Sequence, residues 1–153
     1  VGSEMCIRDS RKRLYQTMTL AVQDAAKQFV TLTLADELAF GPALAAAVRE
    51  KQQAALAYLG LAEKQTTSLY QLSEGQKKMV QLMTMLSLDL SFLLLDEPFS
   101  GLDDRACQYF AAWIKAKSAT QAFLIVTHRL APLAGISQQQ VLLANQRLQV
   151  VQG

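Results

Sequence analysis

Cysteine and histidine are nearly missing from this sequence. Two cysteines, Cys6 and Cys107, and one histidine, His128, provide no CxxC spacing and no Cys/His ligand cluster. That fits a reducing compartment better than a disulfide framework. Long apolar runs are missing as well: the longest, Leu38 to Val48, contains Gly41 and Pro42 and falls far short of the roughly 20 residues a membrane span needs. An excess of one charge is also absent. The net charge of +2 speaks neither for nor against a nucleic-acid partner. No basic run exceeds Arg11 to Arg13 and aromatics do not interleave with basic residues, which argues against a nucleic-acid groove. What remains is 153 residues, 51% apolar, about one domain's length and enough for a real core.

Residues 1–10, VGSEMCIRDS, follow neither a helical nor a strand period and read as a non-native cloning or sequencing scar. From Leu14 the pattern is strand, helical block, strand, helix, strand, hairpin. Leu14 to Val22 alternates loosely and predicts a strand ending at Gln23. Leu34 to Phe40 predicts a helix stopped by Gly41 and Pro42, and Ala43 to Leu59 a second one punctuated by Gly60. Ser73 opens a third helix through a capping box with Gln76, with Met79, Val80, Leu82, Met83 and Leu86 on one broad face. Phe92 to Leu95 is a continuous apolar run and predicts a parallel strand buried on both faces. Asp104 to Lys117 predicts a covering helix, with Cys107, Phe110, Ala111 and Ile114 spaced to face a sheet. Ala122 to Val126 reads as the next buried strand. Val141 to Ala144, Asn145-Gln146 and Arg147 to Val151 read as a closing hairpin.

The chemistry concentrates between Leu72 and Asp103. Asp96 and Glu97 follow the apolar strand directly, so their carboxylates emerge at its C-terminal edge, where open α/β sheets bind ligands. Two acids there suit a cation or a proton; the plainer alternative is that with Pro98 they cap a strand-to-helix turn. Ser73-Glu74-Gly75 is structurally an N-cap, and equally an anion site at a helix N-terminus. His128 follows the strand FLIVT, where a lone histidine is ordinarily a surface or capping residue. Gln23 closes the first strand, an unremarkable place for a glutamine.

Taken together, LSEGQKK, FLLLDEP, SGLD and VTHRL resemble the signature motif, Walker B strand, D-loop and switch-histidine segment of ABC-type ATPases. VQDAAKQFVTLTLADELAFGP is similar to the Q-loop and early helical subdomain of energy-coupling-factor and cobalt-type importers. The resemblance implies an α/β fold: a partial P-loop NTPase core with a mostly parallel sheet, a helical subdomain inserted after the Q-loop, and a C-terminal β-hairpin. It divides residues 11–153 into a helical subdomain at 33–90 and a partial catalytic core at 14–32 and 91–153. It implies ATP and Mg²⁺ as cofactors. Asp96 and Gln23 would then hold Mg²⁺, Glu97 orient the attacking water, and His128 contact the γ-phosphate. Leu72, Ser73, Gly75, Gln76 and Asp103 would meet nucleotide across a dimer of ATP-binding subunits or domains, the D-loop of Ser100, Gly101 and Asp103 crossing its interface. Glu74, in place of a second glycine, would have to turn its carboxylate away from phosphate. The implied partners are that second subunit, identical or different, and a transmembrane subunit docked on the helical subdomain. The implied location is the cytoplasmic face of the membrane.

One expected motif is missing. The glycines stand at 2, 41, 60, 75, 101, 135 and 153, and none begins GxxxxGK[ST], the Walker A cradle for the β- and γ-phosphates. The chain therefore reads as N-terminally truncated and inactive alone, with Phe123 to Val126 expected to present an unpaired apolar edge. Two further readings stand beside the importer subunit. One is an interaction module that supplies its signature turn in trans to a complete ATPase. The other is a soluble ABC-type protein acting on ribosomes or DNA, which the Q-loop region and the short insertion disfavour.

Overall fold

The computed structural model describes residues 17–41, 43–144 and 146–152; the scar reading of residues 1–10, Cys6 and the start of the first strand lie outside them. The strand expected over Leu14 to Val22 is seen as β1, Met18–Ala21. A short 3₁₀ turn, Ala25–Gln28, follows. Helix α1, Leu34–Ala39, starts at Thr33, whose hydroxyl accepts the amide of Asp36. Helix α2, Ala46–Tyr58, begins three residues later than expected. It ends where Gly60 takes the left-handed conformation (φ +70°), and the amide of Leu61 reaches back to the carbonyl of Leu56.

Helix α3, Glu74–Ser87, carries the expected capping box: Ser73 accepts the Gln76 amide and the Gln76 side chain accepts the Ser73 amide. Strand β2, Phe92–Asp96, helix α4, Asp104–Lys117, and strand β3, Ala122–Val126, complete the core. Strands β4, Gln140–Ala144, and β5, Arg147–Gln152, form the expected antiparallel hairpin. Asn145 of its turn lies outside the described residues, and Gln146 has φ +60°.

The main sheet is parallel in the order β1-β2-β3, with Leu20 opposite Leu94 and Leu94 opposite Leu124. Its side chains alternate between two unlike faces. Ala21, Leu93 and Leu95 are buried in one core with Val80, Leu82, Met83 and Leu86 of α3 and Ala106, Cys107, Phe110 and Ile114 of α4. On the opposite face Leu20, Leu124 and Val126 remain 44%, 50% and 57% exposed. The expectation that β2 and β3 are buried on both faces is therefore corrected: helices bury one face, while on the other Phe92 and Leu94 are only partly buried and Leu124 and Val126 stand exposed. Among the described residues the apolar edge expected at Phe123 to Val126 is present, since β3 stands at the end of its sheet.

Buried polar side chains join the helices. Gln52 of α2 donates to the Ser87 hydroxyl at the end of α3 (2.8 Å). Lys117 of α4 donates to the Leu86 and Leu88 carbonyls (2.8 and 2.7 Å), which a helix end leaves without intrahelical partners. The buried Glu37 carboxylate of α1 accepts the amides of Val30 and Thr31 and the Thr31 hydroxyl, fixing the segment that enters the helix.

Candidate functional site

At the C-terminal end of β2 the chain turns sharply. Glu97, next after Asp96 and just before Pro98, has φ +46°, a left-handed conformation that costs a non-glycine residue about 1–2 kcal/mol. Three contacts hold it. Its amide donates to the Val126 carbonyl (2.8 Å), Thr127 Oγ1 donates to one carboxylate oxygen (3.1 Å), and the His128 amide donates to the other (3.0 Å). The His128 ring is fully exposed, with Nε2 3.7 Å from Glu97 Oε1, close but beyond hydrogen-bond distance. The ends of β2 and β3 thus bring Glu97 and His128 together, 31 residues apart in sequence.

At Asp96, the residue before Glu97, opens a cleft of about 640 Å³ lined also by Val22, Gln23, Asp24, Lys27, Gln28 and Glu74. Gln23 and Asp96 therefore share one cavity, Gln23 following β1 and Asp96 ending β2. Among the described residues no group of three or more His, Cys, Asp or Glu side chains forms a closed metal cage. An Asp carboxylate and a Gln amide oxygen are hard donors, few in number, and fit Mg²⁺, which keeps water and takes phosphate oxygens rather than an all-protein shell. The residues present fit the metal-facing end of a nucleotide. With no GxxxxGK[ST] in the sequence, they do not supply a grip on its β-phosphate.

The Ser73–Gly75 turn lies against the segment from Ser100 to Asp103. A Cβ on Gly75 would stand 2.7 Å from the Gly101 carbonyl oxygen, so the two backbones touch directly. Glu74, largely exposed, pairs with Lys77 at 2.7 Å while lining the cleft. Leu72 is buried, so its side chain anchors the turn in the core. The Asp103 carboxylate accepts the Ala106 amide at 2.8 Å, which makes it the N-cap of α4.

Two basic residues that the sequence reading passed over turn out to organise these loops. Arg129 Nη1 donates to the carbonyls of Phe99 (2.8 Å) and Leu102 (2.9 Å), tying the segment after His128 to the loop between β2 and α4. Lys78 is only 4% exposed and donates to the carbonyls of Val22 (3.3 Å) and Gln23 (2.7 Å) and to Gln81 Oε1 (3.0 Å). Burial pushes its ammonium below the ordinary lysine range, while the carboxylates of Asp96, Asp24 and Glu97 pull the other way. Position on the apolar face would have been the only signal for Lys78, and a lysine five residues into a helix that opens on polar residues reads as solvated.

Comparison with known proteins gives consistent relatives. A family model described as "AAA domain, putative AbiEii toxin, Type IV TA system" matches residues 9–131. The "Putative HMP/thiamine import ATP-binding protein YkoD" of Bacillus subtilis (strain 168) is 38% identical over 120 residues, 76% of this chain and 22% of the relative. The "Energy-coupling factor transporter ATP-binding protein EcfA1" of Methanospirillum hungatei JF-1 is 26% identical over 144 residues, 90% of this chain and 52% of the relative. A solved "ATP binding subunit of ABC transporter" superposes with a TM-score of 0.77 at 22% identity, over 95% of this chain and 63% of that one, which speaks to the fold alone. The chain spans 22% to 60% of the length of the first curated relatives it matches. The chain belongs to this AAA-domain family, and the relatives it matches are ABC transporter ATP-binding proteins.

Proposed function

We propose that the chain is part of the ATP-binding subunit of an importer, in which ATP hydrolysis drives uptake of a vitamin-type or metal-ion-type solute. The observation that carries this reading is the Glu97 cluster, a carboxylate held by Thr127 and the His128 amide, directly after Asp96, which lines a cleft together with Gln23. In this reading Glu97 orients and polarises the attacking water, and His128 contacts the γ-phosphate. Asp96 and Gln23 offer oxygens to Mg²⁺, which when bound neutralises charge on the phosphates. Leu72, Ser73, Gly75 and Gln76 form the turn presented to nucleotide on a second ATP-binding subunit or domain, with Asp103 holding the neighbouring loop.

The helical subdomain, residues 33–90, docks a transmembrane subunit, while residues 14–32 and 91–153 belong to the catalytic core. Support for the docking surface comes from Phe40 and Tyr70, both exposed within this subdomain. No helix among the described residues is long and apolar enough to cross a membrane. The proposed location is peripheral, on the cytoplasmic face.

The test uses the protein extended to the full length of its relatives. Glu97→Gln there is expected to lower ATP turnover by at least about 100-fold while nucleotide still binds and a dimer accumulates on size exclusion. Normal turnover by that variant would remove Glu97 from the reaction. The 153-residue chain alone is expected to show no hydrolysis; measurable activity that vanishes with Glu97→Gln would overturn this second point.

A further inference from the structure

The loop that carries Gln23 is held by side chains from the 3₁₀ turn that follows it and from α3. Gln28 accepts the Val22 amide (2.9 Å) and donates to the Leu20 carbonyl (2.6 Å). Gln81 donates to the Val22 carbonyl (2.9 Å) and to Gln28 Oε1. Lys78 takes the carbonyls of Val22 and Gln23 and closes the set through Gln81, so all three ammonium protons have acceptors. Those acceptors are neutral, and among the described residues no carboxylate pairs with the buried ammonium. A cation placed so is costly, because desolvation is not repaid by a contact ion pair. It holds two carbonyls of the loop, while Gln23 lines the cleft shared with Asp96.

Lys78 also lies on α3, little more than a turn after the Ser73–Gly75 segment. A helix is stiff over that distance, so a displacement of the turn displaces the ammonium and the loop it holds.

We propose that Lys78 is a positioning residue that couples the turn opening α3 to Gln23, setting the glutamine against Asp96 when that turn engages a second subunit. The inference rests on the ATP-binding reading above. It assigns to a lysine of the helix a role in the metal-facing end of the same subunit's cleft.

The experiment compares Lys78→Met, Gln23→Ala and the double variant in the protein extended to the length of its relatives. Lys78→Met is expected to lower kcat by about tenfold and raise the Mg²⁺ concentration for half-maximal rate severalfold, with KM for ATP within twofold. The double variant is expected to be no slower than the slower single one, because both act at one group. Lys78→Arg, which keeps charge and donors, is expected to recover part of the rate. If Lys78→Met fails to fold, Lys78→Gln carries the same comparison. Multiplicative losses in the double variant, or an unchanged Mg²⁺ dependence, would overturn the coupling and leave a structural lysine. Failure of the underlying reading shows separately, as normal turnover in Glu97→Gln.

Discussion

Gly75 and Gly101 meet backbone to backbone, the Gly101 carbonyl oxygen filling the space that a side chain on Gly75 would need. The contact joins the first turn of α3 to the loop between β2 and α4 without any side chain, so neither partner can swing aside.

That geometry predicts a sign. Replacing a helical glycine with alanine ordinarily stabilises by about 1 kcal/mol, but a Cβ 2.7 Å from a carbonyl oxygen forces backbone displacement, and overpacking costs about 1–3 kcal/mol. Gly75→Ala is therefore expected to lower the urea midpoint. A midpoint raised by the full propensity gain would show that the two loops are not in contact.

Arg129 offers a second test. Arg129→Ala strips charge-assisted donors from the carbonyls of Phe99 and Leu102, and is expected to cost about 2–3 kcal/mol in denaturant unfolding. Arg129→Lys should recover only part of this, since an ammonium lacks the guanidinium fork. The 3.3 Å pair with Asp104 contributes little, because that carboxylate is almost fully exposed. Asp104→Ala should stay within about 0.5 kcal/mol of wild type.

Cys107 predicts a pH dependence. Its thiol is buried, and burial is the largest influence on it, pushing its pKa above the ordinary 9.0. A folded state that holds its proton longer than the unfolded state is at full stability below pH 9 and loses stability as pH rises through the raised value. Cys107→Ala should flatten that alkaline decline, read as the difference in unfolding midpoint between pH 8 and 10. In a Cys6→Ser background, thiol reagents should modify Cys107 only as fast as the core opens. Rapid labelling at pH 8 under native conditions would contradict both statements.

The sequence made the elements legible wherever a local rule decides them. Ser73 and Gln76 are three residues apart and announce their capping box, and the 3,4 spacing of Cys107, Phe110, Ala111 and Ile114 announces the buried face of α4. Burial of whole strands was less legible. An apolar run such as Phe92 to Leu95 shows that burial on both faces would be tolerated, while coverage depends on other elements, and Leu124 and Val126 stand open. At the site, the carboxylates at the end of β2 were readable from Asp96 and Glu97 alone. The supports were not: Lys78 reaches a loop 55 residues away and Arg129 one about 30 residues away, and neither partnership leaves a local trace in the sequence.

The pairing of Leu20 with Leu94 has a kinetic consequence. The β1-β2 ladder spans α1, α2 and α3, so its closure bears the entropy of a long loop before any hydrogen bond of that ladder returns it. Contacts within and between α1, α2 and α3 are closer in sequence, and elements of that kind form earlier than long-range parallel pairs. In refolding, helical signal should precede sheet formation, and the Gln23 loop, pinned from α3, should be ordered last with the strand that carries it.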